Sequence, residues 1–253
     1  MLHHFLYQVP FYHVRGWSPS QLGQDFLWML AADATNTGDG TDVTQWISHE
    51  GNNYLFTTST FPLYHAAGNN SRPTVEFDVG EYVEYSQAFF QNDGFTISML
   101  VNVNSSGTYT YLYQADTQSI QKQFAVRTID GYINIIQNNG GIESSILGTT
   151  QMSGWHLITI HSDGIKVSRR GIASRPIATL DLLIESLTIR IDGAQESLRG
   201  ENSSGWFGAY DGYLFKIGDD LDGEIQQLFV FPSRLSNINQ DSLESYLNTY
   251  GGL

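Results

Sequence analysis

The feature that most constrains this chain is a succession of short segments in which apolar and polar residues alternate. In the first of two clear cases, Thr74–Val79, the side chains of Val75, Phe77 and Val79 are expected on one face and the polar residues on the other. The segment Phe95–Val103 repeats the pattern. Alternation of this kind is typical of β-strands with one buried face. About a dozen such strands are separated mostly by Gly, Asn or Asp turns, and no helical pattern lies between them. They predict an all-β, two-sheet antiparallel sandwich.

A helical pattern is found only near the end of the chain. Within Ser236–Thr249, the residues Ile238, Leu243 and Leu247 recur at near-helical spacing, with Ser236 as a cap at the start. One C-terminal helix packed on the sandwich is therefore predicted. The length of 253 residues suits a single domain over residues 17–253. Residues 1–16 are rich in aromatic side chains and His, and they are interpreted as an N-terminal arm that docks on the body or on another subunit.

Composition excludes several classes of function. The net charge of −14 argues against nucleic-acid binding, which needs clustered cations. The chain has no cysteine, so disulfides and thiolate metal sites are excluded. No run approaches the roughly 18 apolar residues of a membrane span, so membrane insertion is not expected. The N-terminus lacks the cationic and apolar regions of a secretory signal, so a secretory signal is not expected.

Several phrases of the sequence, taken in order, resemble a known family. They are Trp17-Ser18-Pro19, Leu27–Asp33, Val43–Ser48, Arg72–Asp78, Gly94–Ser98, Trp155–Ile160, Asp222–Ile225 and Leu235–Leu253. Their order is similar to that of the concanavalin A-like jelly rolls of laminin-G-like type, and together they cover the chain from about residue 17 onward. The sequence departs from the family's pattern at Ala31, where an Asp is usual, and over Ser168–Glu185, which is longer than the expected hairpin.

The resemblance implies a non-enzymatic, lectin-like surface or adhesion module that binds carbohydrate. Such domains also occur in structural proteins of bacteriophage particles. We therefore expect a virion protein, either a capsid decoration or a head or tail fibre. Its expected partners are cell-surface glycans, neighbouring virion subunits or further copies of itself, the last through residues 1–16. A purely architectural virion subunit without sugar binding is a further hypothesis.

Three carboxylates suggest an alternative enzymatic function. Glu76, Asp78 and Glu81 match the E-x-D-x-x-E pattern of laminarinase-type retaining endo-β-glucanases, which are similar in fold. By that resemblance Glu76 would be the nucleophile, Asp78 the assisting carboxylate and Glu81 the acid/base. Strict alternation places Glu81 on the face opposite Glu76, so catalysis would need a bulge near Gly80. The other interpretation is the solvent-facing edge of a lectin-like sandwich, with no catalytic residues.

Aromatic and polar residues in one loop predict a glycan site. Sugar sites combine an aromatic platform with amide and carboxylate groups. The segment Arg199–Tyr213 has this composition, and the predicted glycan-binding residues are Asn202, Trp206, Tyr210 and Asp211. A second candidate is the run Tyr109, Tyr111 and Tyr113. In both places burial in the core is the competing interpretation.

Two short oxygen-rich segments are candidates for metal binding. Asp219, Asp220 and Asp222 could help to hold Ca²⁺, a cation that prefers carboxylate ligands, but the rest of a calcium loop is absent and an ordinary turn before a strand is the favoured interpretation. The loop Asp33–Asp42 is a second candidate for Ca²⁺. The histidines show no zinc spacing, so no other cofactor is expected.

Overall fold

The structure is a computed structural model of the chain. It describes residues 17–22, 26–35, 38–49, 55–58, 60–86, 94–115, 122–139, 142–162, 187–201 and 214–253. Within these residues the chain forms two antiparallel sheets and one α-helix, which confirms the predicted sandwich. The predicted N-terminal arm lies outside the described residues.

Sheet A contains the first, the central and the last of the described strands. Its order is β16-β15-β14-β9-β19-β7-β6-β3, and β1 also pairs with β19. The strands are β1 (Leu27–Leu30), β3 (Thr41–Asp42), β6 (Leu63–Asn69), β7 (Arg72–Phe77), β9 (Phe95–Val103), β14 (Gly154–Ser162), β15 (Leu187–Ile191), β16 (Ala194–Gln195) and β19 (Gly223–Phe231).

Sheet B covers one face of sheet A. Its order is β17-β13-β12-β11-β10-β18-β8-β5-β4-β2. The strands are β2 (Ala34–Thr35), β4 (Gln45–Ile47), β5 (Leu55–Thr57), β8 (Val83–Tyr85), β10 (Thr108–Ala115), β11 (Lys122–Ile129), β12 (Tyr132–Asn139), β13 (Ile142–Gln151), β17 (Leu198–Glu201) and β18 (Leu214–Ile217). Two short 3-10 helices, Pro19–Leu22 and Ala31–Asp33, flank β1.

The main core lies between the sheets. Sheet A contributes alternate residues such as Val75, Phe77 and Met99, all buried, as the period of two predicts. Sheet B contributes large aromatic side chains, among them Trp46 and Phe215. Full burial of each such side chain is worth about 1.5–3 kcal/mol. This interior fixes which side chains of sheet A must face outward.

A second, smaller core forms on the outer face of sheet A. The helix α1 (Asn237–Gly251) packs Leu243 and Leu247 against Leu100 and Phe229 of the sheet. The Ser236 side chain accepts a hydrogen bond from the Asn239 amide at 3.3 Å, so the predicted N-terminal cap is confirmed. No helix in the described part of the chain has the length and hydropathy needed to cross a membrane.

Candidate functional site

A polar groove opens on the outer face of sheet A, beside the C-terminal end of α1. Its volume is about 360 Å³, within the range of small-ligand sites. The lining residues come from β6, β7, β19 and the segment before β3: Asp39, His65, Ala67, Gly68, Glu76 and Glu224.

Two carboxylates face each other across this groove. Glu76 of β7 and Glu224 of β19 are direct partners in the antiparallel register. Because paired residues share a face, their Cβ atoms lie about 4.5–5.5 Å apart. Like charges in that position are destabilising unless other groups compensate them.

Hydrogen-bond donors hold both carboxylates. The Thr74 hydroxyl donates to Glu224 Oε2 at 2.6 Å, and the Asn102 amide donates to Oε1 at 3.2 Å. The His65 ring nitrogen Nε2 contacts Glu76 Oε2. The side chains of His65 and Glu76 remain 32% and 42% exposed, so a ligand in the groove can reach them.

A bulge in β6 forms one wall of the groove. His65 pairs with Thr74 and Asn69 pairs with Arg72, so β6 carries two extra residues relative to β7 between these points. Gly68 lies within the bulge, where a Cβ atom would be 2.1 Å from Thr74 Oγ1. Only glycine lets Thr74 stay within hydrogen-bonding distance of Glu224.

The rim of the groove is fixed to the end of α1. Asn69 donates from its side-chain amide to Gly251 O and to Gln226 Oε1, both at 3.1 Å, and the Asn70 amide donates to Tyr250 O at 3.2 Å. The guanidinium carbon of Arg72 lies 4.0 Å from the centre of the Tyr250 ring. These contacts connect the β6–β7 hairpin to the C-terminal end of α1.

The three carboxylates predicted as catalytic do not lie together on one strand. β7 ends at Phe77, and residues 78–81 form a tight turn in which the Glu81 amide donates to Asp78 O at 2.9 Å. The bulge that catalysis required near Gly80 is replaced by this turn, in which Gly80 has φ +90°. Glu81 Oε2 accepts from the Asp78 amide at 2.8 Å. Only Glu76 lines the groove.

The surroundings of Glu81 raise the pKa of its carboxyl group. Burial raises its pKa, although the hydrogen bond from Asp78 opposes the shift, and the charges of Asp78, Asp42 and Glu76 raise it further. This part of sheet A therefore carries a concentration of negative charge. It extends from the turn toward the groove.

The other predicted sites have different outcomes. Asn202, Trp206, Tyr210 and Asp211 lie outside the described residues. Of the second candidate, Tyr111 is fully buried in the main core, so its ring cannot meet a sugar. Burial raises its pKa well above the ordinary value of a tyrosine.

The aspartates considered for Ca²⁺ belong to the turn between β18 and β19. Asp219 accepts from Lys216 Nζ at 2.9 Å, Asp222 accepts from Asn104 Nδ2 at 3.4 Å, and Asp220 takes a left-handed conformation with φ +60°. Among the described residues, no group of three His, Asp or Glu side chains is arranged to hold a metal ion.

Four residues of the candidate site were not predicted from the sequence: His65 and Glu224, which line the groove, and Thr74 and Asn102, which donate hydrogen bonds to Glu224. The alternation pattern shows that Thr74 and Glu76 face outward. It does not show that β19, which is distant in sequence, lies beside β7. That pairing alone brings Glu224 to Glu76.

Comparison with known proteins identifies the fold. No protein-family model matches the sequence, and no curated protein matches it. The binding domain of botulinum neurotoxin serotype C1 aligns with a TM-score of 0.56 and 13% identity, over 87% of this chain and 51% of that chain. The binding domain of botulinum neurotoxin DC in complex with SialylT gives 0.54 and 12%, over 87% and 51%.

A third structure, the same DC binding domain with rat synaptotagmin II, has a TM-score of 0.53 and 12% identity, over 86% of this chain and 52% of that chain. This chain therefore spans about half the length of these neighbours. At such low identity the likeness establishes the shared lectin-like sandwich fold and nothing further.

Proposed function

We propose that this chain is a non-enzymatic binding module that holds a carbohydrate in the groove of sheet A. The observation that carries the proposal is the Glu76–Glu224 pair, fixed by Thr74, Asn102 and His65 around an open cavity. Sugars present hydroxyl groups, and fixed carboxylate and amide groups bind hydroxyls without a further ordering cost. The solved structures that share the fold are binding domains, one of them in complex with SialylT.

The arrangement of donors favours binding over hydrolysis. A retaining glycosidase needs one carboxyl group that gives a proton to the leaving oxygen and a second that attacks the sugar. Both oxygens of Glu224 accept hydrogen bonds from neighbouring side chains, so neither is placed to donate a proton. Release of reducing ends from β-1,3-glucan, abolished by Glu76→Gln, would establish the enzymatic alternative instead.

Blocking the groove tests the site directly. Ala67→Trp places a large ring in the cavity without removing any hydrogen-bonding group, so sugar binding should weaken at least about tenfold, or 1.4 kcal/mol. Ala194→Trp is the matched control, because Ala194 is also exposed on sheet A but lies at the opposite edge, on β16. A glycan array followed by calorimetry measures both variants. Equal binding by Ala67→Trp and the unmodified protein would show that the groove is not the site.

The setting that we propose is the surface of a bacteriophage particle. Its support is the sequence resemblance to laminin-G-like domains of phage structural proteins. Purified particles should contain the chain by mass spectrometry, and the neighbouring genes should encode capsid or tail proteins. If the chain is tightly attached to particles and binds no glycan on the array, the purely architectural role would be favoured.

A further inference from the structure

The groove has an unbalanced charge. Of the residues that line it, Asp39, Glu76 and Glu224 carry carboxylates, whereas His65 is the one side chain that can become a cation. Arg72 lies on the same strand as Glu76, but its guanidinium is stacked on the Tyr250 ring at the rim. The cavity therefore presents an excess of negative charge to any ligand.

The existing contacts leave this charge only partly compensated. Glu224 receives neutral donors, from Thr74 and Asn102, and only Glu76 has a potentially charged partner. Cross-strand carboxylates repel each other, so a cation between Glu76 and Glu224 would be stabilised by both. A ligand that carries a cation would supply this compensating charge.

We propose that the groove selects a sugar that carries a free amino group and rejects anionic sugars. The ammonium lies between the carboxylates of Glu76 and Glu224, and the adjacent hydroxyls of the sugar meet His65 and Asp39. This inference rests on the proposed function, because it names the sugar class for the same groove. An acidic sugar such as sialic acid would bring a carboxylate against three others, so acidic sugars are not expected to bind.

Matched oligosaccharides test the selectivity by calorimetry. The probes are a glucosamine trimer with free amines, the same trimer fully N-acetylated, and sialyllactose beside lactose, at a pH where the amines are protonated. The free-amine trimer should bind about tenfold more tightly than its acetylated form, as expected for a charge-assisted hydrogen bond. Sialyllactose should bind more weakly than lactose.

Charge-removing variants locate the effect. Glu76→Gln and Glu224→Gln should each reduce severalfold the ratio between the affinities for the amine trimer and the acetylated trimer, and this ratio is the readout because both residues also contribute to binding of the sugar itself. Glu84→Gln is the matched control, because it removes one negative charge from β8, in the other sheet. If Glu224→Gln does not fold, Glu76→Gln alone provides the comparison.

The outcomes separate the two proposals. Equal binding of the amine and acetylated trimers, or tighter binding of sialyllactose, overturns the selectivity and leaves the sugar-binding function intact. An equal loss of preference in Glu84→Gln shows that overall acidity, not the groove, attracts amines, and it also overturns the inference. Binding of no sugar by the folded protein overturns both proposals.

Discussion

Replacing Gly68 by alanine should disturb the groove and the stability of the protein together. The new Cβ would lie 2.1 Å from Thr74 Oγ1 and 2.7 Å from Thr74 Cγ2, well inside van der Waals contact. Forcing atoms into a packed site destabilises the fold by about 1–3 kcal/mol. Alanine also reduces the conformational entropy of the unfolded chain, which offsets about 0.4–1 kcal/mol of this loss. Thr74 must also move away from Glu224, breaking the 2.6 Å hydrogen bond. We expect a net loss of about 2 kcal/mol.

A double-mutant cycle with Thr74→Ala isolates the clash. Urea unfolding can be followed through the fluorescence of the five tryptophans. Because Thr74→Ala removes the two closest atoms and leaves only Thr74 Cβ, 2.9 Å from the new Cβ, Gly68→Ala should cost about 1 kcal/mol less in that background. Gly40→Ala is the control: its φ of +69° strains alanine, but no atom lies within 4 Å of the new Cβ, so no coupling is expected. Strictly additive costs for Gly68→Ala and Thr74→Ala would refute the reasoning.

Two further predictions concern regions outside the groove. Arg190 Nη1 lies 2.9 Å from Asp241 and 3.2 Å from the buried Glu244 of α1, so Arg190→Ala should lower the stability by about 1–3 kcal/mol. The control is Asp241→Asn: because the Asp241 carboxylate is 65% exposed, this change should alter the stability by less than about 0.5 kcal/mol. Thermal unfolding measures both variants. His156 donates a hydrogen bond to Asp192, which raises the pKa of His156. The part of the stability that depends on the charge of His156 is therefore complete below about pH 6.5 and is lost as the pH rises through the folded pKa of His156. Burial alone would raise the pKa of Asp192, but the hydrogen bond from His156 lowers it overall, so the part of the stability that depends on the charge of Asp192 is lost as the pH falls through the folded pKa of Asp192. Asp192→Asn should therefore reduce the pH dependence of stability at both the acidic and the basic end. An unchanged stability–pH curve would contradict this explanation.

Much of the fold could be predicted from local pattern, but the ends of strands could not. Val75 and Phe77 are buried as the alternation predicts, whereas Val79 is 67% exposed. The prediction for Val79 was wrong because the strand stops at Phe77 and the chain turns at Gly80. No strand was predicted over β6, since its bulge at Ala66–Gly68 breaks the period of two.

The candidate site was harder to predict because it depends on pairing between distant strands. Glu76 was identified from sequence, but its partners there were taken to be Asp78 and Glu81, its neighbours along the chain. The partner in the fold is Glu224, which the register of β7 and β19 brings opposite. A short-range motif cannot contain that information, because it depends on which strands become neighbours in the sheet.

The position of β19 has a consequence for the order of folding. It is the last of the described strands along the chain, yet it lies between β9 and β7 and also pairs with β1. A chain synthesised from its N-terminus cannot complete sheet A until this strand is available, and contacts of such long sequence separation form slowly. Pairing of β19 with β7 also places Glu224 opposite Glu76, so the groove forms only after this pairing. Nascent chains that lack β19 therefore cannot form the groove.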